Sequence, residues 1–255
     1  MSGQKFEELM AIMRKLRKEC IWDKEQTHDS IKAATIEEAY EVVEAIEDKD
    51  YQELKTELGD LLLHIVFHSV IAEEENNFKV DDVIDSIKDK LVRRHPHVFG
   101  DVEINGKSDI TRNWEKIKLE EGRDSVLEGI PKNLPSLQRA FRLQEKASKI
   151  GFDWNDKKNV WLKVKEEINE FEELSHSGNK EKLEEELGDI FFSLINYARF
   201  LEINPEYALR KTNKKFLNRF QFIEKKLKEN GKHISNSNLE EMDKYWEESK
   251  RLNHK

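Results

Sequence analysis

The chain has one cysteine, four prolines and ten glycines in 255 residues, and each shortage excludes something. Cys20 alone can form neither an internal disulfide nor a thiolate metal cage, as expected of a protein kept in a reducing cytoplasm. Pro96, Pro131, Pro135 and Pro205 stand far enough apart to leave long stretches open to helix. No apolar run approaches the roughly 18 residues that a membrane span needs, and Met1-Ser2-Gly3-Gln4-Lys5 opens no signal peptide. A cytoplasmic protein without a membrane partner is therefore expected. Basic charge is not in excess: the net charge of −9 opposes general nucleic-acid binding. It leaves room for a small polyphosphate met by a metal and local lysines or arginines.

What is present is charge on helix-forming residues. Charged side chains make up 38% of the chain, and Leu, Glu and Lys dominate, which favours an all-α fold. Periodicity predicts helices near 4–19, 29–48, 51–76, 80–94 and 109–120, then near 136–150, 158–175, 180–201, 205–230 and 239–252. Asn204-Pro205 reads as a helix start with proline in the first turn. Gly122, Pro131 and Pro135 interrupt the periodicity, which gives a first domain over 1–121, a linker over 122–135 and a second domain over 136–255.

The second half repeats the first. Glu37-Glu38-x-x-Glu41 followed by Glu57-x-x-Asp60 recurs as Glu166-Glu167-x-x-Glu170 followed by Glu186-x-x-Asp189, with one offset of 129 for all four acids. Carboxylates at i and i+3 share a helix face. If each pattern is a helical hairpin, Glu41 lies level with Glu57 and Glu38 with Asp60, centred on the turn at Asp48-Lys49-Asp50. Glu170 likewise lies level with Glu186 and Glu167 with Asp189, centred on Ser175-His176-Ser177-Gly178-Asn179. Each hairpin then presents four carboxylates as an oxygen-rich site for a hard divalent cation.

Most of the 53 acids must form a solvated face, and Glu167 is an exception. It falls inside the apolar stripe of Val160, Trp161, Val164, Ile168, Phe171 and Leu174, where a carboxylate is costly unless paired or metal-bound. Glu170 and Glu186 border their stripes, and Asp189 lies further round. Di-iron bundles place histidine in such patterns, whereas Glu41, Asp60, Glu170 and Asp189 occupy the matching positions here. An all-carboxylate set suits Mg²⁺, with Mn²⁺ as substitute. His64 and His68 are expected in the core or an interface, and His95 and His97 in a structural loop.

Two further parts repeat. Lys90 and Arg94 correspond to Lys215 and Arg219, each pair four apart on one helix face, and Asn113-Trp114-Glu115 corresponds to Tyr245-Trp246-Glu247. Acids, a basic pair and an aromatic are the inventory that a nucleoside triphosphate requires. With Trp22-Asp23-Lys24-Glu25-Gln26-Thr27, the two Glu-Leu-Gly-Asp cores, Arg93-Arg94-His95-Pro96-His97-Val98-Phe99 and Arg219-Phe220, the chain resembles the MazG family of nucleoside triphosphate pyrophosphohydrolases over nearly its whole length. The resemblance implies two tandem all-α helical-bundle domains, a homodimer, Mg²⁺ dependence and hydrolysis of NTPs to NMP and pyrophosphate. It also implies that Glu167, Glu170, Glu186 and Asp189 hold metal, and that Lys163, Lys182, Asp189, Lys215, Arg219 and Trp246 bind nucleotide.

The halves are not equivalent. Lys163 and Lys182 each precede an acid by four residues, and their counterparts are Ala34 and Glu53. A lost cation and a reversed charge oppose a triphosphate, so the principal site is expected in the second half, with Glu38, Glu41, Glu57, Asp60, Lys90 and Arg94 forming a weaker one. Gly59 and Gly188 interrupt helices, where glycine costs about 1 kcal/mol, so close helix approach or metal access is expected there. Phe141, Phe152, Trp154, Phe191, Phe192, Phe216 and Phe222 are assigned to core or interface and Trp161 to the core. Two rivals stand: a narrow dUTP- or dCTP-type diphosphatase, and a non-catalytic helical interaction protein with a structural divalent site.

Overall fold

A computed structural model describes residues 2–103, 106, 109–110, 113–114, 117, 121, 125–175 and 179–252. It divides into two compact units, Met1–Ile104 and Asn105–Lys255. Among the described residues every regular element is helical, and no helix is long and apolar enough to cross a membrane. The expected helix near 109–120 and the turns at 122–124 and 176–178 lie wholly or partly outside the described residues.

The first unit holds α1 (Ser2–Glu19), α2 (Ile21–Glu25), α3 (His28–Asp48), α4 (Tyr51–Glu74), α5 (Val80–Arg94) and α6 (Pro96–Phe99). α3 and α4 form the first acid hairpin. Thr27 opens α3 with a capping box, accepting from the Ser30 amide at 3.2 Å while Thr27 N–H donates to Ser30 Oγ at 2.9 Å. Lys49 closes α3 in the left-handed region at φ 57°, and Asp50 caps α4 by accepting from the Gln52 and Glu53 amides, each at 3.0 Å. This two-residue turn fixes the hairpin register that brings the carboxylates level. Met10, Met13, Ile31, Val66, Phe67, Val70, Ile71 and Val80 form the core, with α1 packed across α4. Arg17 is buried beneath α2, donating to the carbonyls of Asp23 and Gln26 and pairing with Glu74, so a single cation fastens three segments.

The second unit holds α7 (Ser136–Ser148), α8 (Lys157–Leu174), α9 (Lys180–Phe200), α10 (Pro205–Glu229), a 3₁₀ turn (Ile234–Asn236) and α11 (Leu239–Leu252). α8 and α9 form the second acid hairpin, α7 packs on α9, and α10 packs on α7 and α11. Asp156, Asn179 and Asn204 cap α8, α9 and α10, the last with Pro205 in its first turn as expected. Val160, Val164, Ile195, Ile223 and Leu227 are buried.

Two expectations are corrected. Trp161 is 39% exposed, its ring tilted against Tyr197 at 4.8 Å, because the core takes only Val160 and Val164 from the front of the stripe. At Gly59 and Gly188 an added Cβ would meet nothing within 4 Å, so the expected close helix approach is absent there within either unit. α2 and α6 are additions; α6 spans the stretch expected as a loop between His95 and His97, with His95 Nδ1–H donating to the Leu91 carbonyl at 2.6 Å.

Candidate functional site

Both hairpins gather their acids. Glu38, Glu41 and Glu57 each place an oxygen within 4.8 Å of the others, and so do Glu167, Glu186 and Asp189. Glu57 and Glu167 are only 8% and 7% exposed, which matches the apolar setting read for Glu167. The triads share two positions of the repeat and differ in the third. Their fourth acids stand beside them: Asp60 raises the pKa of Glu38 and Glu57 through its charge, and Glu170 is hydrogen-bonded to Glu167.

Charge compensation separates the two sites. Lys163 Nζ donates to Glu166 at 2.7 Å and pairs with Glu167 at 2.8 Å, and these two contacts hold the lysine well above its ordinary pKa. Burial pushes the Glu170 carboxyl up, with the charge on Glu167 adding to it and Lys163 opposing it. In the first unit Ala34 occupies the lysine position. Desolvation, a hydrogen bond that the protonated Glu57 carboxyl donates to Glu53, and the charges of Glu41, Glu53 and Asp60 push Glu57 up to about 7. Glu38 is raised chiefly by burial and then by Glu41.

The chemistry of the donors fits a hard divalent cation in both places. Each set is oxygen-only, packed against like charge and partly withdrawn from water, which a cation would relieve. A carboxyl whose folded pKa exceeds its unfolded value is penalised in the fold once pH rises above the unfolded value, and the penalty is complete above the folded one. Glu57→Gln is therefore expected to raise the metal-free thermal midpoint at pH 8, with the gain shrinking as pH falls toward 4.5. Scanning calorimetry at both ends of that range checks this; equal gains at both would contradict it.

Behind the first triad His64 and His68, expected in the core or an interface, join a polar network with Thr35 and His28. Thr35 Oγ1 donates to the Ile31 carbonyl at 3.1 Å and stands 3.0 Å from both His64 Nδ1 and His68 Nε2. Both ring nitrogens are thereby donors to Thr35, which leaves His68 Nδ1 to accept from His28 Nδ1–H at 2.8 Å. Burial, followed by the charges of His28 and His64, lowers the His68 pKa and favours this neutral arrangement. His64 Nε2 reaches Glu38 Oε1 at 3.8 Å. The 129-residue offset replaces Thr35, His64 and His68 by Val164, Ser193 and Tyr197, a contrast the alignment of the halves contains.

The remaining expected residues fall into separate groups. Phe216, Arg219 and Trp246 come together on α10 and α11, with the Arg219 guanidinium 5.4 Å from the Trp246 ring centre and Nε buried without a hydrogen-bond partner. Lys182 and Lys215 are exposed on α9 and α10, and Lys90 and Arg94 lie on α5.

The MazG nucleotide pyrophosphohydrolase domain matches residues 26–99 and 156–222. Over 98% of its length the chain is 44% identical to the nucleoside triphosphate pyrophosphohydrolase/pyrophosphatase MazG of Thermotoga maritima, covering 97% of that protein. It is 42% identical to the nucleoside triphosphate pyrophosphohydrolase of Escherichia coli K12, over 95% of this chain and 96% of that one. It is also 46% identical to the uncharacterized protein YabN of Bacillus subtilis, over 96% of this chain but 51% of the longer protein.

Proposed function

The chain belongs to the MazG nucleotide pyrophosphohydrolase family, and from that premise we propose that it hydrolyses nucleoside triphosphates to monophosphate and pyrophosphate, with Mg²⁺ and principally in the second unit. The observation that carries the choice of unit is Lys163 lying across Glu166 and Glu167 within the acid hairpin, where the first unit has Ala34 and Glu53.

Glu167, Glu170, Glu186 and Asp189 hold the metal. When bound, Mg²⁺ or Mn²⁺ acidifies water and neutralises the leaving pyrophosphate. Water adds in line to the α-phosphorus, the bond to the α–β bridging oxygen breaks, and pyrophosphate leaves with that oxygen. Lys163, Lys182, Lys215 and Arg219 meet the phosphate charge, Arg219 with a planar fork suited to two phosphate oxygens. Trp246 packs against the base or ribose, a contact every nucleoside can make. Glu38, Glu41, Glu57, Asp60, Lys90 and Arg94 form the weaker site. The protein acts as a cytoplasmic homodimer that clears aberrant nucleotides or adjusts stress-linked nucleotide pools. Exposed Leu58, Leu62, Leu63 and Ile65 on α4 support the dimer, being apolar surface that a second copy would cover.

Broad base tolerance is the point at which a dUTP- or dCTP-type diphosphatase differs. Assayed singly with Mg²⁺, the eight common NTPs and dNTPs are expected to agree in kcat/KM within about tenfold, the discrimination of a pocket read mainly by stacking. One strongly preferred pyrimidine would overturn the broad reading.

A further inference from the structure

The second unit contains a cavity of about 690 Å³ that the triphosphate chemistry leaves unused. Lys163, Glu167 and Asp189 form part of its wall, so it opens directly beside the acid cluster. The rest of the lining is largely aromatic and aliphatic, with Phe152 and Trp154 from the loop between α7 and α8, and Phe192 from α9. A cavity of this size, apolar with a few fixed polar groups, matches the usual form of a small-ligand pocket.

Away from the acid cluster the polar lining is Ser193, the Arg199–Asp153 ion pair and two amides. Gln144, on α7, is 8% exposed and donates from Nε2 to the Phe192 carbonyl at 2.8 Å. A carbonyl only accepts, so this contact fixes which way round the amide lies and leaves Oε1 as the acceptor, buried and without a partner. An acceptor left unmade in this way is a penalty that a ligand donor would remove. Gln144 itself lines the cavity, so a ligand seated there lies beside this acceptor. Asn196 is set the opposite way: Oδ1 accepts from Arg199 Nε at 3.1 Å and Nη2 at 2.9 Å, so its Nδ2 is the donor.

We propose that this cavity is the nucleobase subsite, in which Trp154 and Phe152 stack on the base and Gln144 Oε1 accepts a hydrogen bond from an N–H on its pairing edge. The proposal rests on the reading of the second unit as the triphosphate site, and it leaves Trp246 to the ribose. Every common base carries an N–H on that edge, so one acceptor tolerates all of them and rejects only a base that has none.

The test compares ATP with purine riboside 5′-triphosphate, which lacks the exocyclic amine and is otherwise the same. With the full chain and Mg²⁺, ATP is expected to be favoured by about 10- to 100-fold in kcat/KM, the range for a purpose-built hydrogen bond left unpaired. Gln144→Met should bring the two substrates within about threefold, and Trp154→Ala, at an exposed loop position, should raise KM about tenfold for both. Equal wild-type rates, a preference that survives in Gln144→Met, or an unchanged KM in Trp154→Ala would overturn the subsite. Failure of the wild type to cleave either substrate would instead remove the triphosphate reading, and the subsite with it. The wild-type ratio and the loop variant keep the test decisive even if Gln144→Met does not fold.

Discussion

Glu186→Ala is expected to lower kcat/KM for ATP by about 10³-fold or more, the several kcal/mol that a correctly held metal supplies to phosphoryl transfer. Glu57→Ala, at the equivalent position of the repeat, should stay within about twofold of wild type, in the range of substitutions remote from the chemistry. The contrast follows from charge. Both acids lie in a compact carboxylate triad, but Glu57 is pushed up to about 7 by desolvation and then by its neighbours, Glu53 first among them. Around Glu186 the corresponding neighbour is Lys182. A triphosphate approaching the first triad would meet added negative charge; at the second it would meet lysines. Steady-state kinetics on both variants, side by side, decides the matter, and equal losses would contradict the asymmetry.

Lys163→Ala should lower kcat/KM by about 10- to 100-fold, the worth of one partly desolvated charge-assisted contact to phosphate. Lys163 is tied to Glu166 and Glu167 in the resting protein. A cation held by the carboxylates would compete with the ammonium for their oxygens and leave it to face the substrate, so the loss should fall more on KM for the triphosphate than on metal affinity. Lys163→Arg, retaining the charge with a different shape, should recover part of the loss. A variant whose only defect is weaker Mg²⁺ binding would assign the lysine to organising the acids instead.

The fold was legible wherever an apolar stripe ran through three turns or more. α1, α3 to α5 and α7 to α11 begin and end within two residues of their expected limits, and at α3, α8, α9 and α10 the capping residues Thr27, Asp156, Asn179 and Asn204 announce the helix start. α2 and α6 were missed, since five and four residues are too few to show a period. The acids were legible as a set because an offset common to four positions is a property of sequence. Which three draw together was not: Glu41 completes the first triad and Asp189 the second, a choice made by side-chain placement across each hairpin, which no offset records.

Long-range polar contacts were also out of reach. Arg17 with Glu74, Thr35 with His64 and His68, and Gln144 with Phe192 join residues 29 to 57 positions apart, with no periodicity to reveal them. The Trp161 misassignment has the converse cause. A helical wheel counts apolar residues on a face without knowing how wide a face the neighbours cover, and α9 covers only its centre.

Cleavage between the α- and β-phosphates by water leaves the attacking oxygen on the monophosphate. The purified chain, incubated with ATP and Mg²⁺ in ¹⁸O-labelled water, should yield AMP and pyrophosphate with the label in AMP, and a chelator should abolish both products. Label in pyrophosphate, ADP with orthophosphate, or no turnover with either Mg²⁺ or Mn²⁺ would contradict the account.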